Sequence, residues 1–213
     1  EAIPRVTTVE WSEDGSALFY SVEDAQTKRS HQVFRHAPGA AKDELVYDEK
    51  DERFSAYVWK SRDRKLLFVE AGSLTSTEIR FFPADQPRAE MKLISPREVD
   101  HQYDVDHRDG TFWIRTNDQG RNFRLVTAPV SSPSRAGWKE VLPHRDTVML
   151  AGHGLFRDFY VLVEREAQLG AGSTGRNAGG VRHQFSTEQN IRLSVESIAA
   201  FERFETEIGA SID

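Results

Sequence analysis

Ser173 stands in Ala171-Gly172-Ser173-Thr174-Gly175, one residue away from the Gly-x-Ser-x-Gly elbow that exposes a nucleophilic serine at a strand-to-helix turn. Alanine replaces the first glycine, and no Asp and His follow in triad order over the needed distance, since His183 comes only a few positions later. The same stretch, Gly170-Ala171-Gly172-Ser173-Thr174-Gly175, spells G-x-G-x-x-G. In a dinucleotide fold such glycines let backbone approach a pyrophosphate at a helix N-terminus. A lone match says little, and its context is wrong: the apolar run Phe159–Val163 ends several residues too early, and Arg176-Asn177-Ala178-Gly179-Gly180 is poor helix material. The histidine pairs His31/His36 and His101/His107 have no nearby carboxylates in a recognised ligand arrangement, so they read as solvated or core residues. The run Asp48-Glu49-Lys50-Asp51-Glu52-Arg53 mixes signs and reads as a solvated loop with local ion pairs. No catalytic residue and no metal ligand is expected in the chain.

Composition narrows the setting. The 213 residues carry a net charge of -6, which argues against a nucleic-acid binder needing clustered Lys and Arg. No cysteine is present, which removes disulfides, thiolate metal sites and a Cys nucleophile and fits a reducing compartment, the cytoplasm. No apolar run approaches the roughly 20 residues that span a bilayer, and Glu1-Ala2-Ile3-Pro4-Arg5 shows no signal peptide. Neither nucleic acid nor membrane is expected as a partner.

Most of the chain is written in strand-and-turn language. Up to Arg165, short runs rich in Val, Phe, Tyr, Trp and Thr alternate with Gly, Pro, Asp and Asn, and all 8 prolines and 4 tryptophans fall there. A turn followed by an apolar strand recurs: Asp14-Gly15 before Ala17–Val22, Arg62-Asp63 before Lys65–Glu70, Asp109-Gly110 before Thr111–Thr116, and Arg157-Asp158 before Phe159–Val163. Another strand precedes each turn (Val6–Trp11, Phe54–Lys60, Tyr103–His107 and Val148–Leu150), and two more candidates follow each of the first three (Gln32–Arg35 with Glu44–Tyr47, Glu78–Phe82 with Met91–Ile94, and Arg121–Thr127 with Trp138–Leu142). Four short strands per unit of about 45–50 residues is the pattern of a β-propeller blade. Leu66-Leu67-Phe68-Val69 is apolar on both faces, as a strand covered on both sides must be. The predicted fold is therefore mainly β, a partial β-propeller of about 3–4 four-stranded blades, ahead of a glycine-rich loop and one C-terminal α-helix. That helix starts near Ser186, with Gln189 completing a capping box, and carries an apolar stripe through Ile191, Val195, Ile198, Phe201, Phe204 and Ile208. It reads as a packing helix.

Val9-Glu10-Trp11 through Asp14–Tyr20, Gln32–His36, Glu44–Phe54, Tyr103–His107, Asn122–Leu125 and Trp138–Glu140 resemble the N-terminal propeller of oligopeptidase B, in the prolyl oligopeptidase group of serine peptidases. The resemblance covers about residues 6–165. It implies a propeller that covers an α/β-hydrolase domain, admits peptides and excludes folded proteins, with cleavage after basic residues. Nothing after Arg165 resembles the hydrolase domain. The expected role is therefore the non-catalytic propeller portion, gating substrate and packing on a catalytic domain carried elsewhere, with no peptidase activity from this chain alone.

A second resemblance covers residues 160–213. Val161–Arg165 followed by Gly170–Arg182 is similar to the D-amino-acid oxidase and sarcosine oxidase group of FAD-dependent oxidoreductases. The resemblance implies that Glu164 matches the ribose-binding carboxylate and that Ser173, Arg176 and Asn177 lie in the loop along the FAD. The group's first phosphate-binding glycine loop has no counterpart here, so no cofactor is expected in isolation, with FAD as the alternative if another chain completes the site. The domains read as 1–165, propeller, and 166–213, flavoenzyme-like loop and helix, the arrangement of a fusion. Open blade edges add a further expectation, self-association.

Overall fold

A computed structural model describes residues 3–166. The predicted C-terminal helix and the glycine-rich loop lie outside them. The chain divides into two units at Arg165/Glu166, and the sheets are built on the first.

Three four-stranded antiparallel sheets succeed one another along the chain, then a two-stranded one. The first is β1 (Val6–Trp11), β2 (Leu18–Glu23), β3 (Ser30–His36) and β4 (Glu44–Asp48). The second is β5 (Ser55–Lys60), β6 (Leu66–Gly72), β7 (Thr77–Pro83) and β8 (Lys92–Leu93). The third is β9 (Tyr103–Arg108), β10 (Thr111–Thr116), β11 (Arg124–Pro129) and β12 (Lys139–Leu142). β13 (Val148–Leu155) and β14 (Tyr160–Glu166) pair as the start of a fourth. Within each complete sheet the strands stand in chain order, so each is a meander, and this is the partial propeller that the turn rhythm predicts.

The blades hold together because their strands alternate between two cores. On β6, Leu67 and Val69 face the first blade with Phe19, Val33, Val58 and Phe82. Leu66 and Phe68 face the third with Phe81, Tyr103, Phe112 and Ile114. Phe68 and Phe112 are fully buried, and Phe112 meets Phe81 edge-on with centroids 4.8 Å apart. Burying one such ring contributes about 2–3 kcal/mol, and neither sheet could do so alone. A smaller core, Phe123, Leu125 and Leu150 with Leu162 against it, joins the third blade to β13 and β14. Polar staples add direction: Thr8 Oγ1 accepts from the Val58 N–H at 3.0 Å, and Ser30 Oγ donates to the Ala56 carbonyl at 2.9 Å.

The structure shifts several predicted strands. β11 begins at Arg124 because Gly120 (φ 155°) and Phe123 (φ 60°) bend the chain before it. β8 shrinks to Lys92–Leu93, although Ile94 still donates to the Ile79 carbonyl at 3.0 Å. β13 runs through Gly152 and Gly154 to Leu155, well past the predicted Leu150.

Candidate functional site

Antiparallel order sorts the connections into two sets at opposite ends of the blades. The turns joining the first strand of each blade to the second (β1–β2, β5–β6, β9–β10, β13–β14) share one end. The turns from second to third strand, and the links from one blade to the next, share the other. The two ends differ in chemistry.

The end bearing the inter-blade links carries apolar side chains in water. Leu74, at the β6–β7 turn, is 95% exposed, and Val99, in the β8–β9 link, is 90% exposed. Their backbone is tied down. Ser73 Oγ accepts from the Ser76 N–H at 3.0 Å, Ser76 Oγ from the Asp100 N–H at 3.0 Å, and Gln102 Nε2 donates to the Leu74 carbonyl at 2.9 Å. Asn117 Nδ2 donates to the Asp100 carbonyl at 3.0 Å, which brings in the next blade's turn. An open depression of about 670 Å³ lies among Arg53, Phe54, Leu74, Arg97 and Val99.

Beneath it is an ionic cluster. Arg97 donates to the Glu49 carboxylate at 2.5 Å and lies 3.8 Å from carboxylate oxygens of Asp51 and Glu78. Burial pushes the Glu49 carboxyl up, but hydrogen bonds from Arg97, the Asp51 N–H and the Tyr47 hydroxyl outweigh it and hold the group below its ordinary range. Burial and the Glu49 charge push the Tyr47 phenol up to about 12. From the first blade, Arg29 Nη1 donates to the carbonyls of Asp51 (3.1 Å) and Phe54 (2.7 Å). The link between blades one and two is thus held between two guanidinium groups.

At the other end, a cleft of about 540 Å³ is lined by Arg62, Asp63, His107, Arg108, Asp109 and the segment Leu155–Asp158. Asp63 Oδ2 accepts from His107 Nδ1 at 2.8 Å, while His107 Nε2 accepts from the Gly110 N–H at 3.1 Å. That pair of bonds assigns the neutral Nδ1–H tautomer and leaves no free nitrogen for proton transfer. The pair is a staple between blades two and three.

The residues singled out in the sequence do not converge on one site among the described residues. Glu164 lies on β14 and its carboxylate accepts a hydrogen bond from Arg145. Ser173, Arg176 and Asn177 lie outside the described residues. His101 Nε2 meets Thr116 Oγ1 at 2.9 Å, and His36 Nδ1 meets Asp43 at 2.7 Å. Among the described residues no group of three His, Cys, Asp or Glu is placed to hold a metal, and no helix is long and apolar enough to cross a membrane. Sequence reasoning missed Leu74 and Val99. The available signal was an aliphatic residue inside a turn-forming run, Ser73-Leu74-Thr75-Ser76 and Glu98-Val99-Asp100.

Residues 3–171 match the family described as prolyl oligopeptidase, N-terminal beta-propeller domain. Dipeptidyl aminopeptidase BI of Pseudoxanthomonas mexicana is 42% identical over 158 residues, which is 73% of this chain and 22% of that protein. Protease 2 of Moraxella lacunata is 31% identical over 157 residues, covering 68% of this chain and 23% of the relative. The solved structure of oligopeptidase B from Leishmania major superposes with a TM-score of 0.69 at 28% identity, covering 75% of this chain and 23% of that one. The chain thus spans about a fifth of the length of these relatives, and the matched part is the propeller.

Proposed function

The chain belongs to the prolyl oligopeptidase N-terminal β-propeller family, and from that premise we propose that it acts as the non-catalytic propeller of an oligopeptidase B-like serine peptidase. In this reading it packs on the catalytic domain and restricts what reaches the active site. The observation that carries the reading is the pair Leu74 and Val99, almost wholly exposed on turns that hydrogen bonds hold in place. Exposed aliphatics gathered with Phe54 around one depression suit a surface that another protein covers.

The test is binding to the α/β-hydrolase domain of a related peptidase, such as the one from Pseudoxanthomonas mexicana. The wild-type chain binds, and Leu74→Asp with Val99→Asp does not. Equal binding by the double variant would place the docking surface elsewhere. The chain alone should leave an arginyl amide substrate uncut.

Two further readings attach to the same chain. Association between copies is favoured by β14, where Tyr160, Val161 and Val163 are exposed along a strand that can template pairing; a clean monomer in size-exclusion chromatography defeats it. For the flavin alternative, we expect no FAD bound to the chain alone. Supporting this, Glu164 is engaged by Arg145 and falls within the propeller match; visible flavin absorbance in the purified protein would contradict it. The lack of cysteine supports a cytoplasmic setting.

A further inference from the structure

We propose that the cleft at the end of the blades opposite Leu74 and Val99 binds a short peptide through a carboxylate group. The turns that close its walls repeat a dipeptide, Arg62-Asp63, Arg108-Asp109 and Arg157-Asp158. In the sequence these look like ordinary turn residues. The structure gives their charges different fates.

The acidic partner Asp63 is satisfied internally. Its Oδ1 accepts from Ser61 Oγ at 2.7 Å and its Oδ2 from His107 at 2.8 Å. The arginines are not neutralised in the same way. Arg62 lies over the Phe156 ring with its Cζ 4.0 Å from the centroid. Arg108 Nη1 donates to the carbonyls of Phe156 (2.8 Å) and Phe159 (3.1 Å). Among the described residues neither has a carboxylate partner. The nearest carboxylate oxygen to Arg157 is its neighbour Asp158 at 3.9 Å, and both side chains are almost fully exposed. Arg29 is likewise held by carbonyls, whereas Arg80, Arg97, Arg115 and Arg124 each hold a carboxylate.

A guanidinium stacked on an aromatic face keeps its in-plane N–H groups free, in the fork that matches a carboxylate. Arg62 is held in this way beside a cleft whose floor is Leu155 and Phe156. The same wall carries Asp109 and Asp158, which disfavours a bare multivalent anion such as phosphate. A peptide supplies what both signs need, a carboxylate for the arginines and amide N–H groups for the aspartates. The cleft volume, about 540 Å³, suits a few residues.

The experiment is calorimetric titration of the full chain. The probes are acetyl-Glu-Ala-Glu-amide, acetyl-Gln-Ala-Gln-amide, acetyl-Ala-Ala-Ala as free acid and as amide, and inorganic phosphate. Binding is expected for the carboxylate peptides. A preference between the acidic side chains and the free C-terminus identifies which carboxylate is read. Arg62→Met, which keeps the packing on Phe156, and Arg157→Met, a change at an exposed tip, each weaken binding by about tenfold, as loss of one charge-assisted contact should. Arg88→Met, remote from the cleft, leaves it unchanged. Equal binding of the neutral amides, phosphate binding as tightly as the peptides, or wild-type affinity in both cleft variants overturns the proposal.

Discussion

Arg97 lies over the ring of Phe54, its Cζ 3.6 Å from the ring centroid, while the same guanidinium holds Glu49. Phe54 and Glu49 bracket the link from the first blade to the second, and Arg97 comes from the end of the second blade. One side chain therefore fixes both the path of the link and the charge beneath the proposed docking surface. Removing it strands Glu49, which is 5% exposed. Arg97→Met keeps the packing but leaves that carboxylate without its main partner. We expect a loss of about 3 kcal/mol, the low end for breaking a buried pair, because Arg97 itself is part-exposed. Urea unfolding measures it. A loss comparable to that of the exposed Arg53→Met would show that the cluster is only decorative.

Acid should unfold the protein through Glu49 and the other carboxyls that arginines hold. Hydrogen bonds from Arg53 are the main cause holding Asp51 far below its usual range. Burial pushes Asp118 up, but Arg124 and Arg135 outweigh it, and the net direction is down. Glu49 is lowered as well. A carboxyl whose folded pKa is depressed contributes stability above its unfolded pKa, about 4, and that contribution fades as pH falls toward the folded value. The unfolding midpoint should hold near neutrality and drop steadily below about pH 4.5. Asp118→Asn should flatten part of that slope. A midpoint independent of pH between neutrality and pH 3 would contradict the assignment.

Glu70 runs the other way. Burial is the first cause of its raised pKa, the Asp104 charge adds to it, and Trp59 partly opposes. A raised carboxyl favours the folded state at low pH, and that advantage is lost as pH rises through the folded value. Toward neutral pH the carboxyl is therefore a liability in its place on β6. Glu70→Gln keeps the shape and removes the charge, so it should stabilise the chain at pH 7 by about 1 kcal/mol and have no benefit at pH 4. Destabilisation at both pH values would mean that the carboxylate has a partner it needs.

The contrast between Glu49 and Glu70 shows what the sequence could and could not disclose. The blades were legible because burial leaves a periodic trace: Leu66–Val69 had to be covered on both faces, and the structure sends alternate residues to two cores. Asp14-Gly15 and Asp109-Gly110 were legible as turns because glycine there serves a left-handed backbone. The acidic run at 48–53 looked like a solvated loop. Its sign pattern carries no hint that Arg29 and Arg97, about 20 residues before it and 45 after it, would clamp it. Leu74 and Val99 were hidden for the opposite reason. A single aliphatic in a loop has no period, and its exposure becomes meaningful only once its backbone is seen to be fixed. The arginines of the opposite cleft are ordinary turn residues until the fold brings three turns together.

The hairpin turns make a last, internally controlled prediction. Gly15 (φ 69°), Arg64 (φ 64°) and Gly110 (φ 73°) all take the left-handed backbone in the first-to-second-strand turns of successive blades. A Cβ on Gly15 or Gly110 would meet nothing within 4 Å, so Gly15→Ala tests backbone strain free of steric clash and should cost about 1 kcal/mol. Arg64→Gly relieves the same strain but gives up the exposed contact with Glu13 at 3.1 Å and loosens the unfolded chain. Its net effect should therefore be a smaller gain, under about 1 kcal/mol. Thermal melts of both variants beside the wild type decide it. If Gly15→Ala is neutral, the turn has room to relax, and the left-handed position is not what selects glycine there.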